Sequence, residues 1–403
     1  MRKVSLDYWT PLGEETSKKL RSNSPPGGWF PALRDLSWCM SELSVLHVDL
    51  FLSPRLQRIS ISASWSWNST GVTPAILQTL IPIISTLPTS SLERISVDTD
   101  HLTMPWERLK DTFSSIILRC GPSFTEYDSP VPLSNAALDH LVHLPRLRTW
   151  RIHGPPPTYP TSSFPLIFPP LRELTFGEGA TRRWLPLLGG LEDDASTTQA
   201  VTPLSKVKGS LETLNIDEDM YSIRISAPSI FPIQHFRNLV HLNVEVSCHD
   251  GDDRGDCIFD LNNDDVAKLT MALTQLESLL LGHPCFENTC FTTVACLLPI
   301  SVHCSKLKKL EIHFDTTDIV DDFRGILENP RLQQLRLLPK CPLTSLGVHQ
   351  LPLELSDVSG LETVVKGMID IFPYLKHFER LEEECQPWDE LAEDIADFRK
   401  DSL

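Results

Sequence analysis

The sequence is short of several things, and each shortage excludes something. No stretch approaches the roughly eighteen uninterrupted apolar residues of a membrane span. Behind Arg2 and Lys3 there is no apolar run, so Met1 to Asp7 does not read as a secretory signal. Positive charge is scarce: 36 Lys and Arg stand against 53 Asp and Glu, a net charge of −17. Such a chain repels phosphate backbones, so general nucleic-acid binding is not expected. Glycine is scarce too, with 18 residues against 32 prolines. Gly189 and Gly190 read as an isolated turn, and no glycine-rich loop is visible in the sequence to cradle a phosphate. The Gly-x-Ser-x-Gly nucleophile turn and the His-Glu-x-x-His zinc pair are also missing. Hydrophobic residues make up 41% of the chain and charged residues 22%, which excludes a disordered or collagen-like polymer.

What is abundant is one short pattern: an apolar residue, two others, an apolar, one other, an apolar. It occurs as Leu33/Leu36/Trp38, Leu56/Ile59/Ile61, Leu92/Ile95/Val97, Leu147/Trp150/Ile152 and Leu171/Leu174/Phe176. It continues as Leu211/Leu214/Ile216, Leu239/Leu242/Val244, Leu276/Leu279/Leu281, Leu307/Leu310/Ile312 and Leu332/Leu335/Leu337. A weaker copy sits at Leu343/Leu346/Val348. Alternation of this kind sends apolar side chains to one face of a strand and polar ones to the other. Ser, Thr and β-branched residues crowd the pattern and favour strands over helices. A unit that cannot bury its apolar face alone must stack on its neighbours, so these are the strands of leucine-rich repeats.

Helical spacing fills the intervals. Met104 to Cys120 carries Trp106, Leu109, Phe113, Ile116 and Ile117 on one face. Ser134 is placed to cap a helix bearing Leu138, Leu141 and Leu144. Asp264 is placed to start another, and Thr292 to Cys304, Ile319 to Leu327 and Val358 to Phe372 fit the same role. The expected fold is α/β: an irregular leucine-rich repeat solenoid, or horseshoe, with parallel strands on the concave face and helices on the convex face. Residues 1–30 read as an N-terminal extension, 31–381 as the solenoid, and 382–403 as an acidic capping helix or tail.

Certain phrases inside the repeats suggest a family. These are the run Leu50 to Leu56, the run Ala137 to Leu141 ahead of Leu144 to Leu147, and Cys304 to Leu307. They resemble the leucine-rich region of fungal F-box proteins of the kind abundant in mushroom-forming fungi. The resemblance covers residues 31 to 381. It implies a substrate-recognition subunit of a cullin-based ubiquitin ligase, in which an F-box docks a small adaptor and the repeats hold the target. Residues 1–30 are too few for an F-box, and Ser22 to Gly28 reads as loop, so no F-box is visible. The adaptor is then a partner only if an F-box is encoded upstream. The alternative is a free-standing scaffold or inhibitor, and behind it an enzyme using a Cys/His cluster.

That cluster comprises Cys248, His249, Cys257, His283, Cys285, Cys290, Cys296, His303 and Cys304. Its spacing matches no zinc knuckle, and small buried cysteines are ordinary core residues, so neither a metal nor a cofactor is expected. The ten cysteines read as reduced thiols of a cytoplasmic or nuclear protein. The acidic stretch from Asp250 to Asp256, continued by Asp260, Asp264 and Asp265, lacks the order of a calcium loop and reads as solvated. The proline-rich insertion from Gly154 to Pro170 is either a stiff inter-repeat loop or a polyproline ligand. Glu379 to Asp401 holds ten acidic and three basic residues, as a cap with a solvated face or as a docking helix.

The expected function is protein binding without catalysis, on the concave face. Its candidate residues are Arg58, Arg94, Arg151 and His153, then Glu173, Asn215, Asp217, His241, Asn243 and Glu245, then Lys309, Glu311, His313, Gln334 and Arg336. In that order the early strands are basic, the middle ones acidic and the last mixed. A gradient of this kind would steer and register a partner of opposite order. The partner is a protein target, with no nucleic acid and no membrane involved.

Overall fold

The protein is described by a computed structural model. The described residues are 2–5, 14–23, 25, 28–40, 48–63, 81–82, 84–98, 106–152, 171–177, 209–219, 224–247, 258–282, 291–328, 341–348 and 358–380. The chain divides into two units, Met1–Leu174 with Thr202–Val207, and Thr175–Val201 with Lys208–Leu403.

In the first unit the strands follow one another in chain order and pair in parallel. They are β1 (Lys3–Ser5), β2 (Asp35–Met40), β3 (Arg58–Ala63), β4 (Arg94–Asp98), β5 (Glu126–Asp128), β6 (Thr149–Ile152) and the start of β7 (Glu173–Phe176). The register aligns Val4, Leu36, Ile59, Ile95, Tyr127 and Trp150 in a single row. All of these from Leu36 to Trp150 are buried. A recurring turn sets each strand start: the amide of the leading Leu or Phe donates to the carbonyl three residues back. Examples are Leu33 to Phe30, Leu56 to Ser53, Leu92 to Thr89, Phe124 to Gly121 and Leu147 to Leu144. That turn satisfies backbone groups that burial would otherwise orphan. Between strands lie α1 (Glu14–Ser22), α2 (Lys110–Arg119) and α3 (Asn135–Val142). The Ser134 hydroxyl caps α3 by accepting from the Ala137 amide at 3.4 Å.

Two strands of this unit escape the leucine pattern. Strand β5 lies in the interval between Leu92 and Leu147, 55 positions long, where Phe124 and Tyr127 take the leucine places. Its phenol is fully buried and donates to the Val131 carbonyl at 3.0 Å. Strand β1 falls in the segment read as an N-terminal extension, and it pairs with β2.

The second unit repeats the scheme with β8 (Thr213–Asp219), β10 (His241–Ser247), β12 (Ser278–Gly282), β13 (Lys309–Ile312), β14 (Ser345–Val348) and β15 (His377–Arg380), in that order and parallel throughout. Strands β9 (Arg224–Ser226) and β11 (Ile258–Asp260) form a separate parallel pair. Its central row is Leu214, Leu242, Leu279, Leu310 and Leu346, all buried. The weak copy at Leu346 thus forms the strand beside β13, while the Leu332 copy lies outside the described residues. Helices α4 (Ala227–Ile230), α5 (Asn263–Ala272), α6 (Leu297–His303), α7 (Ile319–Glu328) and α8 (Val358–Ile371) alternate with these strands. Helix α5 begins at Asn263, one residue before the expected Asp264. Asn262 is its cap, in a reciprocal capping box with Asp265. Helices α7 and α8 meet closely at Gly367, where a Cβ would clash with the Phe323 ring.

Each unit is therefore an α/β solenoid of leucine-rich repeat type, with buried strand and helix residues sharing one apolar layer. No helix among the described residues is long and apolar enough to cross a membrane.

Candidate functional site

The side of each strand opposite the apolar layer carries the polar positions of the repeat. In the first unit these positions line up in two rows. One row places Ser5, Ser37, Ser60 and Ser96 in register, ending at Asp128. The other places Lys3, Asp35, Arg58, Arg94, Glu126 and Thr149 in register. The result is a floor of small hydroxyls bordered by longer charged side chains.

The charges in this border are paired across neighbouring strands. Arg58 lies 3.7 Å from Asp35, Arg94 is 3.0 Å from Glu126, and Arg151 is 3.0 Å from Asp128. The other oxygen of Asp128 accepts from the Ser96 hydroxyl at 3.4 Å. Desolvation raises the Glu126 pKa above the ordinary carboxylate value; Arg94 opposes the shift, and Asp128 and Glu173 reinforce it. The expected basic character of the early strands is therefore corrected. Arg58, Arg94 and Arg151 each face a carboxylate that the candidate set omitted, so the first unit's face is a mixed ladder. Asp35, Ser37, Ser60 and Ser96 occupy visible polar positions of the pattern and were legible there. Glu126 and Asp128 were hidden because β5 carries Phe124 and Tyr127 in place of leucines.

The second unit presents a different face. Its rows read Thr213, His241, Ser278, Lys309 and Ser345, then Asn215, Asn243, Leu280, Glu311 and Gly347. Asn215 donates to the Thr175 hydroxyl at 3.2 Å. Asn243 is in register with it, and its side-chain oxygen is buried with no hydrogen-bond partner among the described residues. His241 is exposed and Glu245 half-buried. Lys309 forms an ion pair with Glu311. Glu311 is only 8% exposed and His313 only 3%, so the expectation that both are presented to a partner is corrected. Glu311 lies in the strand beneath its lysine, and His313 follows β13 with its amide bonded to the Leu281 carbonyl at 3.0 Å. Asp217 lies in β8, but its side chain, together with His153, Gln334 and Arg336, is outside the described residues.

The Cys/His cluster is largely outside them as well: Cys248, His249, Cys257, His283, Cys285 and Cys290 fall there. Cys296 and Cys304 are fully buried core residues. Burial pushes the Cys304 thiol up to about 12 and that of Cys341 up to about 11, which leaves both protonated and unreactive at neutral pH. Among the described residues no group of three His, Cys, Asp or Glu is placed to hold a metal ion. The insertions at 154–170 and 250–256 and the acidic stretch beyond Arg380 also lie outside the described residues.

No protein-family model and no curated protein matches the sequence. Among solved structures, the chain is similar to a chain in the crystal structure of the Rad7 and Elc1 complex in yeast. The identity is 16% and the TM-score 0.38, over 79% of this chain and 70% of that one. A likeness of that size carries nothing about function.

Proposed function

We propose that the protein is a non-catalytic binding module that holds another protein on the polar face of its parallel strands. The observation supporting this reading is the in-register run of Ser5, Ser37 and Ser60 in the first unit, which meets solvent where Ser96 is buried, and which is edged by paired arginines and carboxylates. Serines are short and lose little side-chain freedom when covered, so a partner approaches the backbone closely at small entropic cost. The flanking ion pairs supply complementary charges of both signs, which fix register and exclude wrong partners. A strand face of this kind is open, and an open face excludes water poorly from a reaction.

Within that reading, the resemblance to the repeat region of fungal F-box proteins makes substrate recognition for a cullin-based ubiquitin ligase the specific role, inside the cytoplasm or nucleus. A free-standing scaffold or inhibitor is the competing role. The test is affinity capture with the full chain and with Ser60→Tyr, which raises a bulky ring from the floor. Loss of a wild-type partner from Ser60→Tyr, with unchanged circular dichroism, supports the face as the binding surface. Retention of every partner by a folded Ser60→Tyr removes it. Recovery of a cullin adaptor with the wild type supports the ligase role, and a reproducible partner set without one supports the scaffold.

A further inference from the structure

The border of the first unit's sheet, where the strands begin, carries a feature that the polar face does not account for. The residue just before each strand forms a ladder of its own through backbone bonds: Arg34 to Arg2, Gln57 to Arg34, Glu93 to Gln57, Thr125 to Glu93, and Arg148 to Thr125. Along this leading row, and two positions further back at Arg55 and Arg146, arginine dominates. Arg2, Arg34, Arg55, Arg146 and Arg148 are all exposed, and none has a side-chain partner among the described residues. This sets them apart from Arg58, Arg94 and Arg151, each of which faces a carboxylate. Between the two groups stands Glu93, whose carboxylate accepts from the Gln57 amide at 3.0 Å.

The leading row and the positions just behind it thus hold two positive groups with no carboxylate partner among the described residues, at β1 to β3 and at β6, with a negative one between them. Three strand spacings separate β3 from β6, about 14 Å. An extended polypeptide covers that distance in about four residues.

We propose that this border docks an acidic polypeptide segment with two carboxylate clusters about four residues apart, joined by a neutral or basic stretch that meets Glu93. The proposal rests on the reading of the protein as a binding module, but it uses a different set of residues from the serine floor. A nucleic acid is disfavoured because its evenly spaced phosphates would confront Glu93, and residues 175–403 carry 38 acidic against 20 basic residues on the same chain. Guanidinium suits the task, since it pairs with carboxylates through two parallel bonds.

The experiment measures fluorescence anisotropy of the full chain with a labelled peptide, two Asp-Glu pairs separated by four neutral residues, at low and at physiological salt. Binding should weaken with salt. Arg34→Glu with Arg148→Glu should weaken it at least tenfold, while Lys306→Glu, at the equivalent border of the second unit, should leave it unchanged. A peptide with the four acids contiguous should bind several-fold less well. Absence of binding at low salt, equal binding by the contiguous peptide, equal loss with Lys306→Glu, or tighter arginine-dependent binding of a DNA oligonucleotide would each overturn the proposal. Because Ser60 lies on the floor and not in the leading row, Ser60→Tyr should leave the peptide bound, so failure here and failure of the binding-face reading are distinguishable.

Discussion

The two units apply one backbone scheme to different chemistry. In the second unit the central row is leucine at five successive strands, Leu214 to Leu346. In the first, the equivalent row runs Leu36, Ile59, Ile95, Tyr127 and Trp150. Charge differs as sharply: residues 1–174 carry 16 basic and 15 acidic residues, against 20 and 38 in residues 175–403. The row that holds Ser37, Ser60 and Ser96 in the first unit reads Asn215, Asn243, Leu280, Glu311 and Gly347 in the second, and the ion pairs at the strands use arginine in the first unit and lysine in the second. The contrast teaches that parallel register requires only an apolar residue of workable volume on the inside. The choice among leucine, isoleucine and aromatic rings remains free, and so does almost everything on the outside.

The sharpest way to break the comparison is to truncate the large rings on which the first unit relies. Trp150→Ala removes a fully buried indole and should cost about 3–5 kcal/mol, the upper end for core truncations. Leu279→Ala, in the uniform row, should cost about 2–5 kcal/mol and the lesser amount of the two. Hydrogen exchange should show the lost protection concentrated at β5 to β7 in the first case and at β10 to β13 in the second. Equal costs with protection lost uniformly would mean that the two cores are energetically equivalent.

A smaller effect sharpens the helical side of the second unit. Gly367→Ala drives a methyl into the Phe323 ring, an overpacking worth about 1–3 kcal/mol. Adding Phe323→Leu should recover part of that loss in a double-mutant cycle measured by denaturant unfolding. If Gly367→Ala is neutral, the approach of α7 to α8 is looser than described.

The smallest effect compares one glutamate from each unit. Glu126 is raised above the ordinary carboxylate value, chiefly by desolvation. Glu277 is lowered by its bond to Lys308, with Nζ and carboxylate 2.6 Å apart. For Glu126, the folded state favours the neutral acid, so its contribution to stability is present below the unfolded pKa and fades as pH rises through the folded one. For Glu277 the contribution is present above the unfolded pKa and fades as pH falls through the folded one. Carboxyl carbon shifts followed by NMR should place their titrations on opposite sides of the ordinary value. Titration on the same side would remove this contrast.

Much of the fold was legible because the apolar period is a physical requirement of stacking. Leu33 through Leu310 announce their strands, and Ser134 announces its helix. Strand β5 was not legible, since Phe124 and Tyr127 satisfy the burial requirement without matching the leucine pattern. Strand β1 was hidden by its brevity: three residues give too little alternation to read. The candidate face was half legible. Its arginines stand out in the sequence, but the carboxylates that neutralise them lie one strand away, and only the register of the sheet reveals which charges meet. The buried state of Glu311 and His313 was equally invisible, because a polar residue at an outward position is expected to see solvent.

The sequential strand order also governs how the protein comes apart. Within each unit a strand touches only its neighbours, so contacts are local along the chain and mechanical load is not shared across the sheet. Pulling on a terminus would therefore peel repeats away one after another at modest force, in the manner of a zip fastener. Relaxation would let each repeat re-form against the remaining stack, which serves as its template.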